Sequence, residues 1–259
     1  GQSLWLDYID RPLLESGKLD RLIEEGLCGM TSNPSIFNNA IGKTNDYDAQ
    51  IQKLVAQGKS TFEIYDELTI RDIQDACDAF AGVYQNTNRR DGYVSLEINP
   101  KIAHEVDEQI KEGKRLFAKV NRPNVMIKVP STDEGFPVIE ELIASGINVN
   151  TTLIFSIEQY QKTAQAYLKG LKRLAQSGGD LTKVHSVASI FVSRIDTAVD
   201  KILSEGCAKD RDFKTCYEQF KGCAAVANCR LAYAEFERIF GSAEFKELCL
   251  KYGTEEFYQ

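Results

Sequence analysis

Short apolar runs rich in β-branched residues alternate along the chain with longer stretches in which apolar residues recur every three or four positions. The short runs predict β-strands and the longer stretches predict amphipathic α-helices, because side chains repeat their direction every two residues in a strand and every 3.6 in a helix. Such alternation is typical of a parallel sheet built from βα units. The predicted strands are SLWLDYI (3–9), LCGMTSN (27–33), YVSLEIN (93–99), NVMIKVP (124–130), NVNTTLIF (148–155) and HSVASIFV (185–192).

The helical pattern is clearest in residues 102–120 and 157–175. Two serines have the spacing of a capping box and are expected to start helices: Ser60 with Glu63, and Ser156 with Gln159. After Arg194 the pattern is helical, as in residues 222–240 and 242–253, and no further strand is predicted.

These elements predict an α/β fold of the (β/α)8 TIM-barrel type that lacks its last strands, because six strands are found where a closed barrel needs eight. No linker-like or low-complexity segment divides the sequence. The prediction is therefore one barrel domain over residues 1–259.

Composition narrows the range of partners. The chain is 43% hydrophobic and 27% charged, as in a globular protein, and its net charge is −7. An acidic chain is a poor partner for nucleic acid or a membrane surface, since both attract basic patches. No apolar run is long enough to span a bilayer and no signal segment opens the sequence, so we expect a cytoplasmic protein. The sequence carries no predictor of the oligomeric state.

Cysteine spacing argues against a metal site. The seven cysteines show no CxxC pair and the chain has only two histidines, so no zinc ligand set is expected. We interpret the cysteines as buried free thiols in a reducing compartment.

Polar residues lie inside or just beyond all six predicted strands. In a βα barrel the carboxyl ends of the strands face one pocket, where active sites are built. These residues are therefore expected to converge: Asp7, Asn33, Glu97, Lys128, Asn150, Thr152, Ser189 and Arg194.

Lys128 is the most informative of these residues. In the strand NVMIKVP it shares a face with Met126, and a lysine in a strand packed on both faces is costly unless it is paired. Glu97 is the candidate partner, either in a purely structural pair or in a catalytic one. A lysine in a desolvated pocket has a lowered pKa, and its free amine can form a Schiff base with a ketone.

The same chemistry requires carboxylates. One carboxylate must transfer a proton at the hydroxyl carbon. Another group must assist the loss of water from the carbinolamine. Asp7 and Glu97 can supply these two functions. Asp10 is the better candidate for a helix cap than Asp7. His104, expected on a helix and solvated, and His185, at a strand start, are given no role.

Five motifs, in this order and spacing, strongly resemble those of the transaldolases, a family of Schiff-base-forming class I aldolases: GMTSNPSIF, VSLEINP, VMIKVPST, GINVNTTLIFS and SVASIFVSRID. The resemblance covers residues 3 to about 250. It implies a barrel that transfers a dihydroxyacetone unit between sugar phosphates, in the non-oxidative pentose phosphate pathway, with no cofactor and no metal. The donor would be sedoheptulose 7-phosphate or fructose 6-phosphate, and the acceptor glyceraldehyde 3-phosphate or erythrose 4-phosphate.

The resemblance also implies a role for each matching residue. Lys128 would be the Schiff-base lysine, Asp7 the acid and base for C–C cleavage, and Glu97 would act through a water also held by Thr152. The implied substrate-binding residues are Asn33, Asn150, Ser189, Phe191 and Arg194, with Phe191 shaping the pocket and Arg194 binding phosphate through its guanidinium fork.

The resemblance ends in the C-terminal region. Transaldolases of this kind continue into a seventh strand, a loop with another phosphate-binding cation and an eighth strand, and no such segments are found in the sequence. Two alternatives are therefore kept: a fructose 6-phosphate aldolase-like lyase, and a truncated sugar-phosphate-binding relative without catalysis. Glu97 and Phe191 resemble the transferase pattern rather than that of the lyases.

Overall fold

The computed structural model describes residues 2–209 and 218–252, and all six predicted strands are present in it, each shorter than its sequence run. They are β1 (Leu4–Asp7), β2 (Leu27–Thr31), β3 (Tyr93–Glu97), β4 (Val125–Pro130), β5 (Val149–Ile154) and β6 (Ser186–Ile190). The strands are parallel, pair in chain order and curl into a half-barrel. This arrangement confirms the predicted TIM-barrel-type fold with strands missing.

Helices surround this sheet and connect its strands. They are α1 (Arg11–Glu15), α2 (Lys18–Glu24), α3 (Pro34–Lys43), α4 (Asp48–Ala56), α5 (Thr61–Ala79), α6 (Ala81–Asn86), α7 (Val106–Val120), α8 (Gly135–Ala144), α9 (Ile157–Gln176), α10 (Ser193–Lys209), α11 (Ala224–Phe240) and α12 (Ala243–Lys251). Short 3₁₀ turns lie at Pro100–Ile102 and Leu181–Lys183. Within the described ranges, none of the helices combines the length and apolar character needed to cross a bilayer.

The side chains of β4 alternate between the two faces of the sheet. The outward residues of β4, which are Val125, Ile127 and Val129, are fully buried against the surrounding helices in the main apolar core. The inward residues are Met126 and Lys128. A buried lysine on the inner face therefore belongs to the barrel interior and not to the helix-packing core.

The barrel interior is built in two layers. Trp5, Tyr93, Met126 and Val187 form one apolar cluster with Tyr84. Each of the four strand residues stands two positions before an inward polar one, so an apolar floor lies below a polar layer at the carboxyl ends of the strands. The polar residues above this floor are Asp7, Ser95, Lys128 and Ser189.

The two outer strands of the sheet are less covered than the central ones. β3 and β4 are buried along almost their whole length, whereas β1 ends in exposed residues and most of β6 is only half-buried. Leu4 on β1 is 61% exposed. Among the described residues, β1 and β6 each pair with one neighbour only.

Both predicted capping boxes are confirmed. Ser60 and Ser156 each accept a hydrogen bond from the third residue of the helix that they start, and Glu63 and Gln159 reach back to the serine backbone. The prediction of a helix from residue 102 was wrong, because Asn99 and Pro100 start a 3₁₀ turn there and α7 begins only at Val106. His104 consequently lies in a turn and not on a helix, and it is exposed as expected.

The cysteines were expected to be buried, and most of those with described side chains are not. Of those whose side chains are described, only Cys77 is buried, while Cys223 is exposed and Cys28, Cys229 and Cys249 are half-buried. Cys28 lies on β2, Cys223 directly precedes α11, and Cys249 of α12 packs against the main apolar core. The side chains of Cys207 and Cys216 lie outside the described residues.

The turn after β4 requires glycine at position 135. A Cβ on Gly135 would lie 1.9 Å from the Pro130 carbonyl oxygen. We expect Gly135→Ala to lower the free energy of unfolding by about 2 kcal/mol or more, because this turn joins two buried elements and cannot shift freely. Gly42→Ala on α3 is the matched control, since a Cβ at this position would have no atom within 4 Å, and the change should stabilise the protein by up to about 1 kcal/mol. Equal urea midpoints for the two variants would contradict this expectation.

Candidate active site

Lys128 lies at the centre of the polar layer and is 7% exposed. Its Nζ donates to the Ser32 carbonyl oxygen at 3.1 Å and lies 3.8 Å from Glu97 Oε2. The strand register explains this placement, because Lys128 stands beside Glu97 on β3 and beside Asn150 on β5. The predicted pairing of Lys128 with Glu97 is therefore present.

The pKa of Glu97 is raised above the ordinary value for a glutamate. Burial raises the pKa of Glu97, and the negative charge of Asp7 raises it further, while Lys128 acts in the opposite direction. Burial has the largest effect, and it raises the pKa because it penalises the ionised form. A carboxylate with a raised pKa beside an amine can take a proton from it and return it, which is the property required of a general acid and base.

Asn150 of β5 is hydrogen-bonded to both β3 and β6. Its Nδ2 donates to Ser95 Oγ at 3.0 Å, and its Oδ1 accepts from Ser189 Oγ at 2.8 Å. Asn150 and Ser95 are almost fully buried. These two hydrogen bonds fix the orientation of the Asn150 amide within the polar layer.

The segment after β2 closes over Lys128. Ser32 Oγ donates to the Ser95 carbonyl oxygen at 2.7 Å, so the Ser32 carbonyl that accepts from Lys128 is itself held in place. Asn33 caps α3 by accepting from the Ile36 backbone N–H at 3.0 Å. Asn33 therefore has a structural function at the rim of the site, whatever it contributes to binding.

Asp7 ends β1 and stands in register with Thr31 of β2, which in turn stands beside Ser95. Asp7 is exposed, and its negative charge raises the pKa of the largely buried Glu97. Asp10, and not Asp7, caps the next helix by accepting from the Leu13 backbone N–H at 2.8 Å. This confirms the distinction that the sequence suggested between these two aspartates.

Thr152 lies at the upper end of β5, where the backbone is unusual. Thr152 is 3% exposed and its carbonyl oxygen accepts from Ser131 N at 2.8 Å. Leu153 has a φ of 62°, and the pairing of β5 with β6 shifts register there. Gln159 braces this end, since its Nε2 donates to the carbonyl oxygens of Ser131 and Leu153 at 2.8 and 3.3 Å.

Phe191 and Arg194 form a separate group beyond β6. The Phe191 ring stacks on Phe155 with centroids 5.1 Å apart, and the Arg194 guanidinium lies 4.7 Å from the centroid of the Phe191 ring. Arg194 is exposed on the first turn of α10. The structure thus pairs Lys128 with Glu97, joins Asn150 to Ser189 by a hydrogen bond, and sets Lys128 and Asn150 side by side in register. Arg194 lies outside this group at the rim.

The chain matches the family model described as Transaldolase/Fructose-6-phosphate aldolase over residues 4–252. This chain belongs to the transaldolase/fructose-6-phosphate aldolase family. The match covers every element that contributes to the site.

Relatives named transaldolase are similar along nearly the whole chain. A transaldolase of Trichodesmium erythraeum is 44% identical over 99% of this chain and 68% of the relative. Transaldolase 2 of a Nostoc species is 42% identical over 97% of this chain and 67% of the relative. A transaldolase of Saccharopolyspora erythraea is 43% identical over 98% of this chain and 67% of the relative. The chain thus spans about two thirds of the length of each of these transaldolases.

Three hydroxyl residues of the site were missed by the sequence interpretation. Ser32 and Ser95 support Lys128 and Asn150, and the Thr31 hydroxyl is buried without a hydrogen-bond partner among the described residues. The inward strand positions of Thr31 and Ser95 were a signal, but serine and threonine are common in strands, and Ser32 lies just beyond the end of β2. Across the described ranges, no group of three or more His, Cys, Asp or Glu residues is placed to hold a metal ion.

Proposed function

We propose that this chain is a transaldolase that moves a dihydroxyacetone unit from a ketose phosphate to an aldose phosphate through a Schiff base on Lys128. The observation that carries the proposal is a buried lysine on the inner face of the barrel, 3.8 Å from a carboxylate whose pKa is raised. A lysine held only for stability would be a poor choice there, since replacing a buried ion pair by apolar residues is often neutral or stabilising.

In the proposed reaction the Lys128 amine attacks the ketone carbon of the donor. Glu97 takes a proton from the Lys128 ammonium, the C–N bond forms as the C=O π bond breaks, and a proton of the attacking nitrogen passes to the alkoxide to give the carbinolamine. The carbinolamine then loses its hydroxyl as water, with the proton returned by Glu97. The product is an iminium that can accept the electron pair of a neighbouring C–C bond. One water is released at this stage and one is consumed when the final product leaves Lys128.

Asp7 is the proposed base for C–C cleavage. It takes the proton of the hydroxyl on the carbon beyond the scissile bond, the bond breaks, and its electron pair moves into the iminium to give an enamine. The aldose phosphate leaves, an acceptor aldose phosphate enters, and the same steps run in reverse. Thr152 is proposed to hold, with Glu97, the water that takes part in these steps.

The remaining predicted residues are proposed to bind the substrate. Asn33, Asn150 and Ser189 would hold the hydroxyls of the dihydroxyacetone unit, and the fixed Asn150 amide suits this function because it needs no reorganisation. Phe191 would shape the pocket, and Arg194 would bind the phosphate. The proposed substrates are sedoheptulose 7-phosphate or fructose 6-phosphate as donors, and glyceraldehyde 3-phosphate or erythrose 4-phosphate as acceptors, in the pentose phosphate pathway and in the cytoplasm.

Parallel assays with and without an acceptor test this function. Fructose 6-phosphate is supplied alone or with erythrose 4-phosphate, and the appearance of glyceraldehyde 3-phosphate is followed by a coupled dehydrogenase. A transaldolase requires the acceptor for continued turnover. Equal turnover without an acceptor, with free dihydroxyacetone as product, would identify a lyase instead. Sugar-phosphate binding with no turnover in either assay would support the non-catalytic alternative.

Arg194 offers a test of phosphate binding. We expect Arg194→Ala to raise the KM for the ketose phosphate about tenfold with a smaller effect on kcat, since an exposed cation at the rim binds substrate and transition state alike. Arg238→Ala is the matched control, because Arg238 is an exposed arginine on α11 that pairs with Glu235. Unchanged KM values in Arg194→Ala, at low and at high salt, would remove Arg194 from the proposed site.

A further inference from the structure

A cavity of about 580 Å³ lies beside the proposed active site, at the carboxyl end of β3. It is bounded by α3, α5, α7 and the 3₁₀ turn after β3. Thr61, Phe62 and Lys101, which line it, are exposed, so the cavity opens to solvent between α5 and the 3₁₀ turn. Glu97 is also among its lining residues. The cavity therefore extends from solvent to Glu97, the residue whose carboxylate lies 3.8 Å from Lys128 Nζ.

Tyr65 of α5 lines the same cavity and is half-buried. Its ring packs edge-on against Phe37, with centroids 6.4 Å apart. Its hydroxyl makes no hydrogen bond to any part of the chain that the structure describes. Burial, followed by the negative charges of Glu97 and Asp66, raises the pKa of Tyr65 to about 12. The Tyr65 hydroxyl therefore stays protonated near neutral pH, and it can donate a hydrogen bond to a bound water.

The other charged residues of the cavity are already engaged or lie at its mouth. Asp66 accepts from Arg115 at 2.7 and 3.0 Å and from Lys119 at 2.7 Å, and Glu112 also accepts from Arg115. Lys101 is exposed at the opening. Among the residues that the structure describes, Glu97 has only Lys128, at 3.8 Å, as a charged partner. Of the carboxylates that line the cavity, Glu97 is the one with acceptor capacity free for a water.

The proposed chemistry requires water to move at Glu97 while substrate is bound. Each turnover releases one water when the iminium forms and consumes one when the product leaves, and the ketose phosphate then covers the carboxyl ends of the strands. We propose that the cavity beside Glu97 is the route of this water, and that the Tyr65 hydroxyl holds it by donating to a water bound to the Glu97 carboxylate. Tyr65 is thus a positioning residue, and this inference rests on the proposed function.

Oxygen exchange measures the passage of water directly. Every reversible formation of the Schiff base replaces the C2 oxygen of the ketose with solvent oxygen, so enzyme in ¹⁸O-labelled water should introduce ¹⁸O into fructose 6-phosphate above the enzyme-free rate. We expect Tyr65→Phe to lower this exchange rate and kcat about tenfold with KM unchanged. The ring contact with Phe37 is kept, so the melting temperature should remain within about 2 °C.

Tyr160→Phe is the matched control. Tyr160 lies on α9, is buried in a different apolar cluster and does not line the cavity. Tyr160→Phe also removes one hydroxyl from a buried tyrosine, and it should leave ¹⁸O exchange, kcat and KM unchanged. Thr61→Trp is the second variant, because a large side chain at the exposed mouth should slow exchange while Tyr65 and Glu97 remain in place.

The outcomes separate the two proposals. Wild-type rates of exchange in both Tyr65→Phe and Thr61→Trp, in a protein whose wild type forms a borohydride-trapped adduct on Lys128, would overturn the water route and leave the proposed function intact. A wild type that neither exchanges oxygen nor forms an adduct would overturn the proposed function, and the water route with it. Slow exchange in both variants with wild-type adduct formation at equilibrium supports the route.

Discussion

Lys128→Met is expected to lose transaldolase turnover by about 10⁴-fold or more in kcat, the scale associated with removing a covalent nucleophile. The physical reason is that the thioether has no amine to attack the ketone, while it fills nearly the same space on the inner face of β4. Glu97 loses its charged partner but already has a raised pKa, so it can remain as the neutral acid. Activity is measured with fructose 6-phosphate and erythrose 4-phosphate.

Two further variants make this result specific. Lys128→Arg keeps a positive charge beside Glu97 and should be equally inactive, because a guanidinium forms no Schiff base. Lys114→Met removes a lysine of α7 that pairs with Glu141 at 2.7 Å and should retain full activity. Residual turnover above one per cent in Lys128→Met would contradict covalent catalysis by this lysine.

Glu97→Gln is expected to lower kcat by about 10²–10⁴-fold, the usual contribution of a general acid and base. The amide keeps the size of the side chain but cannot take the proton of Lys128 or return it to the leaving hydroxyl. Glu112→Gln is the matched control, since the Glu112 side chain is similarly buried (16% exposed, against 19% for Glu97) but its carboxylate is bound to Arg115. A kcat within threefold of wild type in Glu97→Gln would exclude Glu97 from proton transfer.

The pH profile provides a second measurement on Glu97. Its carboxylate must be ionised to accept a proton, and its pKa is raised by burial and by Asp7, so wild-type kcat should fall on acidification at a pH above the value for an exposed glutamate. This acid limb should be absent from Glu97→Gln. An unchanged acid limb in the variant would assign it to another group.

Much of the fold could be predicted from periodicity because the strands are buried on both faces. β4 appears in the sequence as a near-continuous apolar run in which Lys128 marks the inner face, and β5 is buried although Asn150, Thr151 and Thr152 are polar. The boundary of α7 could not be predicted in the same way, since the apolar residues before Val106 fit a helix but Pro100 and Asn99 start a separate turn. That the chain forms one domain stays a prediction.

The candidate site could be predicted in part for a related reason. Charged residues such as Lys128 and Glu97 stand out in buried strands, so their pairing was expected from the sequence. Ser95 and Ser32 do not stand out, and their contacts depend on how three strands are staggered. The cavity beside Glu97 depends on helices far apart in the chain, and no local pattern predicts that Tyr65 and Glu97 share it.

Covalent trapping tests the Schiff base on Lys128 most directly. The protein is incubated with fructose 6-phosphate and borohydride, digested, and mapped by mass spectrometry, with Lys128→Met treated in parallel. The predicted result is a reduced three-carbon adduct on the peptide that contains Lys128 and no adduct in the variant. A folded wild-type protein that gives no adduct, or an adduct on another lysine, would contradict the account.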